Sequence, residues 1–459
     1  MTLTDDLLVE LERNLPGAVV GPDHVDYDTT RQTFNATVDR RPSVIVLPST
    51  VDDVVHAVRT AEAAGLPVAI RGGGHSVAGT SCPDGALVVD LRRMRSVSVD
   101  PATRRARAGG GAVWEDVDRA TMAHDLAVTG GTFWDTGIAG LTLGGGLGFL
   151  MGSSGLTCDN LMRATVVTAD GSVVEAGPDG DPELLWALRG GGGNFGVVTE
   201  FEYHLDPIGE LWVATLMCHL DDAAAALVAI DRYAETAPDE IVLFILGPTP
   251  ATLGDAPPDA PLDHVRVLVV CRASREVADA AIAPLLAIPG VSGTPERVSY
   301  EDIQGGELMP FGLRHYWKGH FIRAIDPATA ELAVAAMRRP VTPSSFLLLE
   351  ALTGKARHEP AGGAAFGQRG ARWNASALAI WEDPTTDDAG VAWARGFADG
   401  LTSVSYSGAG YGNYASSDET PERIRAAFDA ERYARLVAVK RRYDPDNTFR
   451  FNLNIPPDA

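Results

Sequence analysis

The sequence predicts an α+β chain whose first part is an α/β layer. Three observations carry that expectation. Residues 43–76 read as strand, helix, strand and then a run of glycines, and a strand–helix–strand unit marks an α/β layer. Glycine clusters at 71–76, 140–148 and 189–196 all fall before residue 207. Near Ile208 the glycine density drops, and strands and helices are mixed from there to about residue 400. A chain of 459 residues is too long for one compact core and fits two or three domains.

The elements follow in order. Residues 43–49 are a short buried strand. Residues 51–65 have helical spacing, with Val54, Val55, Val58 and Ala61 on one side, and Gly65 closes that helix. Residues 67–70 form the next strand and run straight into Arg71-Gly72-Gly73-Gly74-His75-Ser76. Strands are expected at 86–91, 96–99 and 105–109, a helix at 114–123, and a strand pair at 163–168 and 172–176 around Gly171. Asp181 as N-cap and Pro182 at the first helical position start a helix to Leu188. Residues 197–204 alternate as a strand. Pro-rich breaks at 248–261 and 339–343 mark loops or a domain edge. A single helix is expected over 422–439, before a compact tail.

Composition excludes several classes. Hydrophobic residues make up 45% and charged residues 22%, as in ordinary folded proteins. The net charge of −23 repels phosphate backbones and anionic lipid, so neither nucleic acid nor membrane is expected as a partner. No apolar run is long enough to span a bilayer, and the acidic start Met1-Thr2-Leu3-Thr4-Asp5-Asp6 lacks the apolar stretch of a secretion signal. Cys82, Cys158, Cys218 and Cys271 are far apart. That spacing argues against a disulfide scaffold or a zinc site and suits the cytoplasm.

The glycine clusters carry the chemistry. Without a Cβ, glycine lets backbone N–H groups approach a ligand, and successive N–H groups make a concave nest for anions. Three nests together point to a large ligand with phosphates. Gly191, Gly193 and Gly196 match a dinucleotide-binding spacing, but a helix precedes them and a strand follows, the reverse of what that fingerprint needs. A Rossmann NAD site is therefore rejected, and no Walker P-loop is present. His75 ends the first cluster directly after a strand.

Four strings occur in order: Arg71 to Ser76; residues 132–148, Thr-Phe-Trp-Asp-Thr-Gly-Ile-Ala-Gly-Leu-Thr-Leu-Gly-Gly-Gly-Leu-Gly; Gly155-Leu156-Thr157-Cys158-Asp159-Asn160; and Tyr443-Asp444-Pro445-Asp446-Asn447 with Asn452-Leu453-Asn454-Ile455-Pro456-Pro457. Together they resemble the berberine-bridge-enzyme-like flavoproteins of the vanillyl-alcohol oxidase and p-cresol methylhydroxylase superfamily, over nearly the whole chain. The resemblance implies a two-lobed α/β FAD-binding domain of the PCMH type over 1–207, its core at about 40–207. It implies an α+β substrate domain with an antiparallel sheet over 208–410, and a C-terminal segment, 411–459, that completes the FAD domain.

The resemblance also implies site residues. His75 would bond the flavin's 8α-methyl. Phe133-Trp134 stand where many relatives have Cys-Pro, so no cysteinyl bond is expected, and Cys158 reads as a buried filler. The cofactor would lie against Arg71, Gly72, Gly73, Gly74, His75, Ser76, Thr136, Gly137, Gly140, Gly144, Gly145, Gly148, Asp159, Asn160, Gly196, Val198, Asn452 and Asn454. Thr136 stands at the family's oxygen gate. In Phe366-Gly367-Gln368-Arg369 and the following Arg372-Trp373-Asn374-Ala375-Ser376, Gln368 replaces a histidine and Asn374 the usual carboxylate. An amide cannot take a proton, so Tyr411, with a lowered pKa, becomes the expected base and Asn374 a substrate-orienting group. Arg314-His315-Tyr316-Trp317-Lys318 resembles a family string on the substrate side and could line a pocket or form a packed strand. The implied activity is an oxidase that takes a hydride from an alcohol or amine carbon of a sugar or secondary metabolite and reduces O2 to H2O2. A dehydrogenase with another acceptor and a non-redox cyclase or ligand-binding flavoprotein are the alternatives.

Overall fold

The computed structural model describes residues 3–251, 257, 260–305 and 311–459. Parts of the 248–261 break therefore lie outside the described residues. The first unit is a four-stranded sheet in the order Val19–Val20, Val44–Val46, Leu87–Asp90, Val68–Arg71. Leu87–Asp90 runs parallel to both of its long neighbours. The helix Val51–Ala63 packs Val54, Ala57, Val58 and Ala61 into the core beneath it. Thr50 caps that helix, its side chain accepting from the Asp53 amide while the Asp53 carboxylate accepts from the Thr50 amide.

An antiparallel sheet follows, Val97–Asp100, Arg105–Gly109, Val197–His204, Leu161–Val167, Val173–Ala176. The third unit is an eight-stranded antiparallel sheet that includes Leu211–His219, His264–Arg272, Ile241–Thr249, Phe346–Ala351, Trp373–Trp381 and Arg314–Ile322 in that order. Helices Ala223–Glu235, Arg275–Leu286, Pro327–Met337 and Asp387–Gly400 bury one face of it in an aliphatic core. Its other face turns toward the glycine clusters. Because strand side chains alternate, Leu347, Leu349 and Ala351 join the helical core while Leu348 joins the opposite cluster.

The C-terminus returns to the first two units. The expected single helix over 422–439 is two, Pro421–Ala426 and Ala430–Tyr443. The break arises because Asp429 caps the second helix, its Oδ1 accepting from the Arg432 amide at 2.8 Å. The last helix packs Leu436 and Val437 against Leu184 and Trp186 of the helix Pro182–Leu188. Beyond it, the Val68 amide donates to the Thr448 carbonyl (3.1 Å) and Phe449 enters the first unit's core. Lys440, fully buried, anchors this tail. Its Nζ donates to Asp444 Oδ2 (2.5 Å), the Asn194 carbonyl (2.9 Å) and the Phe449 carbonyl (3.1 Å).

Candidate active site

A cavity of about 550 Å³ lies between the glycine clusters and the inner face of the large sheet. Its floor is backbone from 72–76, 136–137, 140, 144, 190–193 and 196, with Val198 beside it. Its roof is Phe244, Leu246, Leu268, Trp317, Phe321, Phe346, Leu348 and Leu378 from alternate positions of five strands. The string 410–415 and the tail residues Asn452 and Leu453 close the sides.

Two kinds of glycine build the floor. A Cβ on Gly73 would stand 2.4 Å from the Gly137 amide nitrogen, and one on Gly137 would stand 2.3 Å from that of Gly73. Here the absent side chain lets two glycine runs touch backbone to backbone. Gly140 and Gly193 differ, since a Cβ on either would meet no heavy atom within 4 Å. Those positions keep the floor clear for a ligand.

FAD fits these residues. The cavity is in the range of cofactor pockets, and unfilled polar atoms surround it: His75 Nε2, Asp135 Oδ1, Asn452 Oδ1 and Asn454 Oδ1 are buried with no hydrogen-bond partner in the protein. His75 lines the cavity. Its ring stacks on Phe34 at 4.8 Å, meets Phe311 edge-on at 5.1 Å, and sets Nε2 3.2 Å from Asp135 Oδ2. Phe34 stacks in turn on His315 at 4.3 Å. Burial pushes His315 down to about 3, with His75 adding to the effect, so His315 is neutral at physiological pH.

The sheet supplies a carboxylate that the sequence reading did not find. Glu350 and Asn374 are directly opposite on neighbouring strands. Asn374 Nδ2 donates to Glu350 Oε2 at 2.6 Å, and the Tyr414 hydroxyl, at the cavity wall, donates to Glu350 Oε1 at 3.1 Å. Burial raises the Glu350 carboxyl to about 7, against the two hydrogen bonds that lower it. The signal was a single acid in the apolar run from Phe346 to Leu352, since such an acid is almost never buried unless paired.

The expectation for Tyr411 is corrected. Its hydroxyl accepts from the Gly146 amide (3.0 Å), the Leu147 amide (3.1 Å) and Asn413 Nδ2 (2.8 Å). Burial raises its pKa, and these donors only partly oppose that. Tyr411 lines the cavity but is committed to holding the second glycine cluster.

Of the other expected residues, Gly72, Gly73, Gly74, Ser76, Thr136, Gly137, Gly140, Gly144, Gly196, Val198 and Asn452 line the cavity with His75. The rest stand off it. Arg71 is buried, its Nη1 donating to the Thr30 carbonyl and its Nε 3.6 Å from Asp90. Asp159 pairs with Arg369 at 2.5 Å. Asn160 Nδ2 donates to the Ser154 and Leu156 carbonyls. Gly145 packs on Phe366 and Gly148 on the Gly130 carbonyl. Asn454 is outside the lining, as is Asn374, whose buried amide is spent on Glu350.

Gln368 lines the cavity but is held by Ala427 and Ser407. Of the string 314–318 only Trp317 reaches the cavity. Tyr316 and Lys318 alternate to the other side and bind Asp418. All four cysteines are buried and free, and burial raises the Cys158 thiol. Among the described residues no cluster could hold a metal ion and no helix is long and apolar enough to cross a membrane.

Comparison with known proteins was made on this geometry. The family described as "FAD binding domain" matches residues 42–177, and "Berberine and berberine like" matches 410–456. The (R)-6-hydroxynicotine oxidase of Paenarthrobacter nicotinovorans is 31% identical, over 97% of this chain and 98% of its own. The crystal structure of 6-hydroxy-D-nicotine oxidase from Arthrobacter nicotinovorans superposes with a TM-score of 0.85 at 31% identity, over 96% of this chain and 98% of that one. Glucooligosaccharide oxidase from Acremonium strictum, described with a 6-S-cysteinyl, 8α-N1-histidyl FAD, shares the fold at a TM-score of 0.87 and 22% identity, over 99% of both chains.

Proposed function

We infer the reaction from a fixed premise: this chain belongs to the berberine-bridge-like FAD-linked oxidoreductases. It is an FAD-dependent enzyme of that family. We propose that it is an oxidase acting on the alcohol or amine carbon of a small molecule with an apolar frame. The observation that carries the proposal is the Tyr414–Glu350–Asn374 chain at the cavity wall. The roof supports the substrate class. Its aromatic and aliphatic side chains offer few partners for a row of sugar hydroxyls, which would be buried without hydrogen bonds.

The floor would hold the cofactor through backbone N–H groups of the glycine runs, with His75 as the covalent tether and no cysteinyl bond, because Phe133 lines the cavity where a thiol would be needed. When bound, FAD accepts a hydride from the substrate carbon and passes the electrons on, in this reading to O2 past Thr136, giving H2O2. The chain's own work is positioning and proton transfer. Tyr414 takes the substrate's O–H or N–H proton as it gives its own to Glu350. A carboxyl raised to about 7 is matched to that task near neutral pH. Asn374 fixes the second carboxylate oxygen, so Glu350 cannot rotate away from Tyr414. We also propose a cytoplasmic location, which the four unpaired cysteines support.

The test is anaerobic mixing of the yellow enzyme with a panel of apolar secondary amines and alcohols, followed by air. The proposal expects bleaching by at least one of them, then rapid recolouring with one H2O2 per flavin. Bleaching with slow recolouring in air would instead identify a dehydrogenase.

A further inference from the structure

His75 has a partner that the covalent reading of its role leaves unexplained. Asp135 Oδ2 stands 3.2 Å from His75 Nε2, and Asp135 Oδ1 is buried with no hydrogen-bond partner. The carboxylate is therefore committed to nothing else in the protein on that side. The ring is clamped against turning by Phe34 on its face and Phe311 at its edge. The carboxylate is fixed too, because Asp135 immediately precedes Thr136-Gly137, and Gly137 packs backbone to backbone against Gly73. The two glycine runs thus hold an imidazole and a carboxylate face to face.

We propose that Asp135 is the positioning residue for flavin attachment: it holds the proton of His75 on Nε2 and so makes Nδ1 the nitrogen that bonds the flavin. The proposal rests on the covalent reading above. A neutral imidazole carries one proton, and the nitrogen beside an acceptor keeps it. Nδ1 is then left with the free lone pair.

In the attachment step a C–H bond of the 8-methyl group breaks. Its proton leaves to solvent and its electron pair stays on the flavin ring. The Nδ1 lone pair forms the new N–C bond, which places a positive charge on the imidazole. The Asp135 carboxylate stabilises that charge until the Nε2 proton is released. Dioxygen removes the two electrons, together with two protons, as H2O2. Atoms balance as histidine plus FAD plus O2 giving histidyl-FAD plus H2O2.

The experiment compares wild type, Asp135→Asn and Asp135→Glu, each prepared with FAD in air. Protein-bound flavin is divided over time into acid-soluble and acid-precipitated fractions, and the attached nitrogen in the wild-type flavinyl peptide is identified by NMR. The expected result is a wild-type bond at Nδ1. Asp135→Asn should bind FAD equally but form the bond at least about tenfold more slowly, the scale seen when a histidine loses its orienting carboxylate, and Asp135→Glu should recover most of the rate. Wild-type speed in Asp135→Asn, or equal loss in Asp135→Glu, overturns the proposal. So does a wild-type bond at Nε2, which can be read even if the variants fail to fold. Fully acid-soluble flavin in the wild type would refute the covalent reading itself, a result distinct from these.

Discussion

Glu350 and Asn374 face each other across neighbouring strands, the Asn374 amide 2.6 Å from the Glu350 carboxylate. The carboxylate missing from position 374 is thus supplied from the strand beside it, and its other oxygen is bound by Tyr414. If Glu350 accepts the proton, activity needs its deprotonated form. The rate should therefore rise with pH through about 7, the value to which burial raises it. Glu350→Gln should lower kcat by about 10²–10⁴-fold and remove that rising limb, while FAD stays bound. A pH profile of kcat in both proteins checks this.

Two tyrosines three residues apart should fail in different ways. Tyr414→Phe cuts the proton path and should lower kcat on the scale of Glu350→Gln, with stability little changed. Tyr411→Phe instead leaves the Gly146 and Leu147 amides without their acceptor. Unsatisfied buried groups cost about 1–3 kcal/mol each, so it should lose about 2–5 kcal/mol in denaturant unfolding.

The two classes of floor glycine should separate fold from binding. Gly73→Ala drives a Cβ into the Gly137 backbone and should destabilise the protein itself. Gly140→Ala meets no protein atom, so thermal unfolding without FAD should be unchanged while FAD binds more weakly. Thermal melts with and without added FAD decide it.

The tail hangs on one buried pair. Lys440→Met would strand the Asp444 carboxylate, which is fully buried and also accepts from the Thr448 and Phe449 amides. Breaking a buried pair from one side costs about 3–5 kcal/mol. The expected outcome is a loss of that size in denaturant unfolding.

Much of the fold could be read from the chain, because its signals are local. The strands Arg105–Gly109 and Val197–His204 and the helix Pro182–Leu188 match the expected bounds, and the Asp181 cap accepts from the Leu184 amide at 2.9 Å as its position suggests. The helix break at 427–429 escaped notice because continuous helical spacing outweighed the cap at Asp429. The glycine floor was visible as composition. Glu350 was not, because a search along the strand around 374 cannot see a partner 24 residues away that only sheet register brings opposite. Asp135 was hidden likewise, since the contact between the first and second glycine runs sets it against His75.

The most direct test of the account is to precipitate the purified yellow protein in acid and find where the flavin goes, beside His75→Ala. The account predicts that wild-type flavin stays with the pellet, while His75→Ala binds FAD in its cavity but releases all of it to the supernatant. Flavin released from both proteins would contradict it, leaving FAD held by the glycine floor alone.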